Sequence, residues 1–192
     1  MNYGIPYQGS KQKIAKEICK IFPSGKNFYD LFGGGFSITH AMLIHRSRSF
    51  EHFHFNEIRS GMTDLIQGSI NGEYSYEYGK FKPEFINRER FLKEKETDLY
   101  IKLCWSFGNK GKSYLFGNDI EDYKRSMHNA VVFNKFDDLA KSVFGFSQFS
   151  VNTTVLQRRL CLMARIEHYR VTKIPDFLIK YLNVKQLERL QQ

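Results

Sequence analysis

The stretch that decides the fold is NFYDLFGGGFSITHAMLIH, residues 27–45. Residues 27–32 are an apolar run with one acid, which fits a buried strand. Three glycines follow, and residues 36–45 continue as a helical pattern that begins directly at the glycines. Glycines let the backbone turn sharply and approach a ligand closely, and the helix N-terminus offers free N–H groups. The stretch therefore predicts a strand, a candidate ligand-binding loop and a helix.

The segments on either side extend this pattern. Residues 11–22 predict a helix, and residues 50–57, FEHFHFNE, alternate with aromatics and predict a second strand. Residues 62–70 predict another helix. The first helix places three isoleucines at helical spacing, with lysines opposite: Ile14, Ile18 and Ile21. The order of helix, strand, glycine loop, helix, strand and helix is how a doubly wound α/β sheet begins.

The composition and the pattern of the sequence change after Asn71-Gly72. Residues 73–130 are polar and aromatic with helical patterns, and VVF at 131–133 is too short to assign. Residues 155–169 predict an amphipathic helix, and residues 177–192 predict one more helical segment. The apolar face of the helix at 155–169 runs through Leu156, Leu160, Met163 and Ile166. We expect an α/β fold whose Rossmann-like core is incomplete, with a core at 1–71 and a mainly helical region at 72–192.

Composition restricts the partners and the location. The formal net charge is +9 and the pI is about 9.4, and such an excess attracts polyanions, of which nucleic acid is the commonest in a cytoplasm. The alternative is that the charge only keeps the chain in solution. No apolar stretch approaches the roughly 18–20 residues of a membrane span, and the first residues lack a signal-peptide pattern. The sequence therefore predicts a cytoplasmic protein without membrane contacts.

Two further segments indicate a ligand. Glu57 follows the second strand about 20 residues beyond the loop, where an acid is placed to accept ribose hydroxyls. Its alternative role is an acid that stabilises a helix N-terminus. The opening segment PYQGSK, residues 6–11, combines an aromatic, a Gly-Ser turn and a lysine at a helix start. A lysine there indicates an anionic neighbour, unless it is simply solvated.

Together, PYQGSK (6–11), FYDLFGGGFS (28–37) and FNE (55–57) resemble the Dam-like adenine-N6 DNA methyltransferases. In that family the first two segments embrace the methionine end of S-adenosylmethionine, and the acid after the second strand binds its ribose. The resemblance therefore implies S-adenosylmethionine as cofactor. Carried across residue by residue, it gives eight cofactor candidates: Tyr7, Lys11, Asp30, Phe32, Gly33, Gly34, Gly35 and Glu57.

The resemblance continues through LYIKLCWSFGNKGKSYLFG, residues 99–117, where the family begins its helical DNA-recognition insertion. It implies double-stranded DNA as partner. In this reading the lysines hold phosphates and the aromatics support or wedge the duplex. The alternative is a basic surface loop anchored by a core tryptophan. The DNA-contact candidates are Trp105, Asn109, Lys110, Lys112 and Tyr114.

The family's Asp-Pro-Pro-Tyr-type catalytic tetrapeptide does not occur here, because none of the four prolines is adjacent to another. No catalytic residue is therefore predicted, and Asn134 and Asp176 are the nearest substitutes. We expect an adenine-N6 DNA methyltransferase by descent that is inactive or very weak as this chain alone. Either the chain is truncated before the motif, so that a missing C-terminal half or a complementing chain supplies it, or it is a reduced relative.

Other classes receive less support from the sequence. The alternative to the methyltransferase is a non-catalytic DNA-binding or regulatory protein on the same scaffold. A nicotinamide-dependent oxidoreductase would need G-x-G-x-x-G, a spacing that residues 33–38 do not supply. His52 and His54 share one strand face, but no third metal ligand is visible, and no metal site is predicted.

Overall fold

A computed structural model describes residues 2–74 and 84–172 of the chain. These residues form a mixed α/β structure with a small parallel sheet, in agreement with the predicted α/β class. They divide into two compact units, one of residues 2–74 and 88–115 and one of residues 84–87 and 116–172. This division differs from the predicted boundary after residue 71. None of the helices in the described ranges is long and apolar enough to cross a membrane.

The first unit is built around strands β1 (Gly25–Asp30) and β2 (Phe50–Phe55). They are parallel, with Gly25 opposite Phe50 and Asp30 opposite Phe55. Helix α2 (Ser37–His45) and a short 3₁₀ turn connect them, as the glycine-loop pattern predicts. Because parallel strands end at the same edge of a sheet, the glycine loop after β1 and the segment after β2 lie side by side.

Helix α1 is shorter than predicted and packs through a different face. It runs from Ala15 to Ile21, and its contacts are mainly with α2. Ile14 and Ile21 are 51% and 79% exposed, whereas Ala15 and Cys19 are buried. The predicted isoleucine face is therefore wrong, because the packed face is formed by small side chains. Together with α2 and the sheet they form one cluster: Tyr3, Ala15, Cys19, Phe28, Ala41 and Met42.

Helix α3 (Met62–Ile70) begins and ends where the sequence predicts. In the same unit, α4 (Arg88–Glu94) and α5 (Leu99–Cys104) follow along the chain, and α5 packs on α3. A second apolar cluster joins α3 and α5 to the residue after the glycine loop: Phe36, Met62, Leu65, Ile66 and Leu103. Residues 88–115 therefore belong with the sheet through packing rather than through chain order.

The second unit contains α6 (Glu121–Phe133), α7 (Asp138–Phe144) and α8 (Val155–Val171). The short apolar run at 131–133 is the last turn of α6. The buried core of this unit is shared by the three helices and the segments between them: Tyr123, Met127, Ala130, Val131, Ala140, Val143, Phe144 and Phe149.

Helix α8 confirms the predicted helix but not its packed face. A capping box at Thr154 and Gln157 fixes its start. The predicted inward residues are exposed: Leu156 is 61%, Leu160 56%, Met163 65% and Ile166 42% exposed. The helix instead packs on the core through Val155, Cys161, Leu162 and Tyr169. The predicted segment 177–192 lies outside the described residues.

The two faces of α8 can be distinguished by matched substitutions. We expect Leu162→Gln to lower the free energy of unfolding by about 1–3 kcal/mol, because it places an amide against the core. Leu160→Gln changes an exposed side chain and should stay within about 0.5 kcal/mol of the wild type. Urea unfolding followed by circular dichroism measures both. A larger loss for Leu160→Gln than for Leu162→Gln would restore the face predicted from the sequence.

Candidate functional site

The glycine loop is tied by hydrogen bonds to the segment that follows β2. Gly33 N donates to Asn56 O at 3.0 Å, and Phe36 N donates back to Gly33 O at 2.9 Å. Gly34 N donates to Glu57 Oε2 at 2.8 Å. The loop and the acid that the sequence singles out separately are therefore in direct contact.

Packing explains why glycines stand at both ends of the triplet. A Cβ on Gly33 would overlap the ring of Phe55, and a Cβ on Gly35 would come within 2.6 Å of Tyr7 Cβ. Gly34 has a φ of 53°, a left-handed backbone conformation that glycine adopts without strain. Two of the three glycines are therefore required because neighbouring groups leave no room for a side chain.

Glu57 keeps hydrogen-bonding capacity beyond the protein contacts. Its Oε1 accepts from Arg59 N at 3.1 Å, so each carboxylate oxygen accepts one backbone N–H. A carboxylate has about four acceptor positions, which leaves two for hydroxyl groups of a ligand. The side chain is half-buried.

The opening segment forms another wall of this cluster. Ile5 N donates to Gly35 O at 2.9 Å. A Cβ on Gly34 would lie 3.2 Å from the Tyr7 ring, and the Arg59 guanidinium lies 5.0 Å from the centroid of that ring. The structure thus brings Tyr7, the three glycines and Glu57 together.

Three other cofactor candidates are placed differently. The Asp30 carboxylate accepts from the Thr39 hydroxyl at 2.6 Å, so it binds α2. The Lys11 ammonium donates to Gly9 O at 2.8 Å and is exposed, although Lys11 N reaches Ser37 Oγ at 3.3 Å. Phe32 is 92% exposed after β1. Ile58, beside Glu57, is 98% exposed and was not among the predicted cofactor candidates.

The segment that resembles the start of a DNA-recognition insertion is a closed loop. Ser106 and Tyr114 form an antiparallel bridge, and Leu115 N donates to Trp105 O at 2.9 Å. Trp105 and Tyr114 are only 7% and 5% exposed. The Arg88 guanidinium lies 4.9 Å from the Tyr114 ring centroid. Both rings are buried within the first unit and anchor the loop, and their contact with DNA stays a prediction.

The loop interior is held by a buried hydroxyl and an amide. Ser106 Oγ accepts from Gly111 N at 2.8 Å, and Ser106 is fully buried. Asn109 Nδ2 donates to Leu103 O at 2.9 Å, and its backbone is left-handed with a φ of 55°. The Asn109 amide group thus holds the loop conformation, and its contact with DNA stays a prediction.

The outside of the loop carries charge and one aromatic ring. Lys110 and Lys112 are exposed, as expected for residues that contact a polyanion. Phe107 is 68% exposed although its N–H donates to Ser113 O at 2.9 Å. Phe107 was not among the residues that the sequence predicts for the site, and no sequence signal distinguishes it from the neighbouring aromatics.

A cavity of about 720 Å³ lies in the first unit, between the start of α3 and residues 95–102. Its lining includes Lys110 and Arg59, and the Arg59 guanidinium also contacts the Tyr7 ring. The three glycines of the loop after β1 and Glu57 do not line it.

The remaining residues that the sequence singles out are Asn134, Asp176 and the histidine pair on β2. Asn134 Oδ1 accepts from Phe149 N at 2.8 Å and Asn134 Nδ2 donates to Phe149 O at 3.1 Å, so both ends of this amide are used within the fold. Asp176 lies outside the described residues. The rings of His52 and His54 lie 6.4 Å apart. In residues 2–74 and 84–172 no three His, Cys, Asp or Glu side chains are grouped so as to hold a metal ion.

Comparison with known proteins gives one match. A family model described as D12 class N6 adenine-specific DNA methyltransferase matches residues 7–104. The matched residues span half of the chain and include the glycine loop, Glu57 and α5. No curated protein and no solved structure matches the chain significantly.

Proposed function

We propose, because the chain belongs to the D12 class N6 adenine-specific DNA methyltransferase family, that its first unit binds S-adenosylmethionine and double-stranded DNA. The observation that carries the proposal is the contact of Gly34 with Glu57 at 2.8 Å. We further propose that β1, α2, β2 and α3 are part of a Rossmann-like core, and that the loop at 105–114 begins a DNA-recognition insertion. The comparison with the family supports the class of reaction, and the local contacts support the assignment of residues.

The cluster around the glycine loop fits a nucleoside-like cofactor. Glu57 has acceptor positions left for ribose hydroxyls, and it stands beside the backbone of the glycine loop. Phe32 and Ile58 expose large apolar surface next to the loop and the acid, which suits a purine or an alkyl chain. When bound, S-adenosylmethionine supplies an electrophilic methyl group.

The other cofactor candidates receive specific roles in this proposal. Tyr7 forms the wall opposite the loop, and Gly33 and Gly35 let β2 and the opening segment approach it. Asp30 acts by holding Thr39 and with it the start of α2. Lys11 is proposed to exchange its contact with Gly9 O for an anionic group of the ligand.

Removal of the Glu57 carboxylate tests the cofactor site. We expect Glu57→Ala to weaken binding of S-adenosylhomocysteine, the demethylated product, by about 10- to 150-fold, because hydrogen bonds to a charged group contribute about 1.5–3 kcal/mol. Isothermal titration calorimetry measures the affinity. Glu51→Ala removes an exposed acid from the other end of β2 and should leave the affinity unchanged. Equal affinities for all three proteins would remove Glu57 from the site.

The exposed groups of the loop suit the DNA backbone and an unstacked base. Lys110 and Lys112 carry positive charge that contacts phosphates without reading sequence. Phe107 offers a ring that stacks on a base or wedges a base step. The buried Ser106 and the Asn109 amide hold these groups in place before DNA arrives.

A salt series tests the lysines. Duplex affinity should fall steeply with salt, and Lys110→Ala with Lys112→Ala should flatten the slope of log affinity against log salt by about one unit per lost phosphate contact. Fluorescence anisotropy with a labelled duplex measures the slope. The matched control is Lys13→Ala with Lys16→Ala, which removes the same charge from exposed positions near α1. An equal change of slope for both pairs would mean that Lys110 and Lys112 contribute only non-specific charge attraction.

Phe107→Ala separates stacking from charge. It should weaken duplex binding without changing the salt slope, because it removes no charge. A wild-type affinity for this variant would exclude Phe107 from the DNA surface.

Methyl transfer requires groups that this sequence does not supply. The adenine amine is a poor nucleophile. In the family, an acid and a carbonyl of the tetrapeptide accept hydrogen bonds from the amine while the extruded base is stacked. No such tetrapeptide occurs in the 192 residues, and Asn134 is occupied by Phe149. This observation favours a second candidate function, a DNA-binding or regulatory protein on the same scaffold.

We therefore expect the 192-residue chain to bind DNA without methylating it. Loss of a positioning and charge-stabilising element costs several kcal/mol of barrier, and hence orders of magnitude in rate. Transfer of tritiated methyl from S-adenosylmethionine to unmethylated duplex measures the rate. Turnover well above background would show that another group grips the amine, and Asn134→Ala and Asp176→Ala would then identify it.

A further inference from the structure

Two histidines of α2 hold the opening segment of the chain. Gly4 N donates to His40 Nδ1 at 2.9 Å, and the Tyr3 hydroxyl shares a hydrogen bond of 2.7 Å with His45 Nε2. Tyr3 is 6% exposed, and its ring meets both imidazoles edge-on at centroid distances of 6.0 and 5.8 Å. Histidines are thus the side-chain anchors of residues 3 and 4.

These anchors lie directly behind the glycine loop. A Cβ on Gly4 would overlap Gly35 O, and Gly4 has a φ of 71°. The next residue, Ile5, donates its N–H to Gly35 O at 2.9 Å, and Tyr7 then packs on Gly34. A shift of Gly4 therefore moves the wall that Tyr7 provides.

The two histidine contacts differ in what protonation does to them. A backbone N–H only donates, so His40 Nδ1 accepts from Gly4 only while the imidazole is neutral. Once His40 is protonated, two N–H groups face each other. A tyrosine hydroxyl donates or accepts, so the bond between Tyr3 and His45 survives protonation with its direction reversed.

We infer that His40 is a positioning residue of the cofactor site, which holds residues 3–7 against the glycine loop only in its neutral form. The inference rests on the proposed cofactor binding for its functional consequence. Binding strength is then present while the ring is neutral and is lost when acid protonates it.

The groups that surround His40 come from several elements. Its ring stacks on Phe36 at a centroid distance of 6.1 Å and meets the edge of Tyr3 from the opening segment. The charged or titratable groups on elements around α2 are engaged elsewhere. Asp30 at the end of β1 binds Thr39, Lys11 binds Gly9 O, Arg46 after α2 binds Cys19 O, and burial raises the pKa of the Cys19 thiol.

The pH profile of cofactor affinity tests the inference. When the pH is lowered from about 7.5 to about 5.5, the wild-type affinity for S-adenosylhomocysteine should fall, because a protonated His40 no longer accepts from Gly4 N. His40→Asn places an amide oxygen where Nδ1 lies, accepts from Gly4 N and does not titrate, so its profile should stay flat. His45→Gln is the matched control and should keep the wild-type fall. A flat wild-type profile, or an equal fall in His40→Asn, would overturn the inference.

Amide hydrogen exchange of the chain without cofactor provides a readout that does not depend on the proposed function. At about pH 5.5 the peptide covering residues 3–7 should exchange faster in the wild type than in His40→Asn, and at about pH 7.5 the two should match. Comparison at equal pH cancels the intrinsic exchange rate. Equal exchange at acid pH overturns the positioning role. Faster wild-type exchange without calorimetric heat at any pH supports it while contradicting the proposed cofactor binding.

Discussion

The hydrogen bond from Gly34 N to Glu57 Oε2 joins the turn after β1 to the segment after β2. It forms only because the two strands are parallel and end at the same edge of the sheet. The loop cannot move away from this bond, since Phe55 packs on one side of it and the opening segment on the other. A small two-stranded sheet thereby acquires a fixed backbone loop with a carboxylate beside it. The candidate cofactor site depends on this constraint.

The sequence predicted the elements whose signals are local. The glycine loop, α2 and α3 follow from adjacent residues, and the alternation in FEHFHF follows from strand geometry. The packed faces of α1 and α8 were not predictable in the same way. Large apolar residues define a face by spacing, but Ala15 and Cys19 pack because they are small enough for α2 to lie close. On α8, apolar residues occur on two sides, and only the position of the other helices selects the side of Leu162.

The candidate site residues also divide into those whose position the sequence predicts and those whose contacts depend on the tertiary structure. The position of Glu57 beside the glycine loop was predictable, because it follows from strand order. Tyr7 was named through the family resemblance, and its packing on the loop comes from the opening segment, which strand order does not place. The hydrogen-bond partners of Asp30 and Lys11 depend on which polar groups the fold brings near them. The Asp30 carboxylate accepts from Thr39, and the Lys11 ammonium donates to Gly9 O. In the loop at 105–114, Trp105 is buried and Phe107 is exposed, although only Ser106 separates them. A sequence of alternating aromatics does not reveal which of them faces inward before the bridge is known.

Binding and chemistry have separate requirements in this molecule. In the proposed function, the carboxylate of Glu57 and the charges of Lys110 and Lys112 bind groups that a cofactor and a duplex present in their ground states. Methyl transfer needs an additional grip on the adenine amine, which acts mainly in the transition state. A chain that retains the first set without the second keeps affinity and loses rate, because uniform binding does not lower the barrier. Membership of a methyltransferase family therefore does not by itself predict turnover for this chain, because the reaction depends on particular site residues and not on the fold alone.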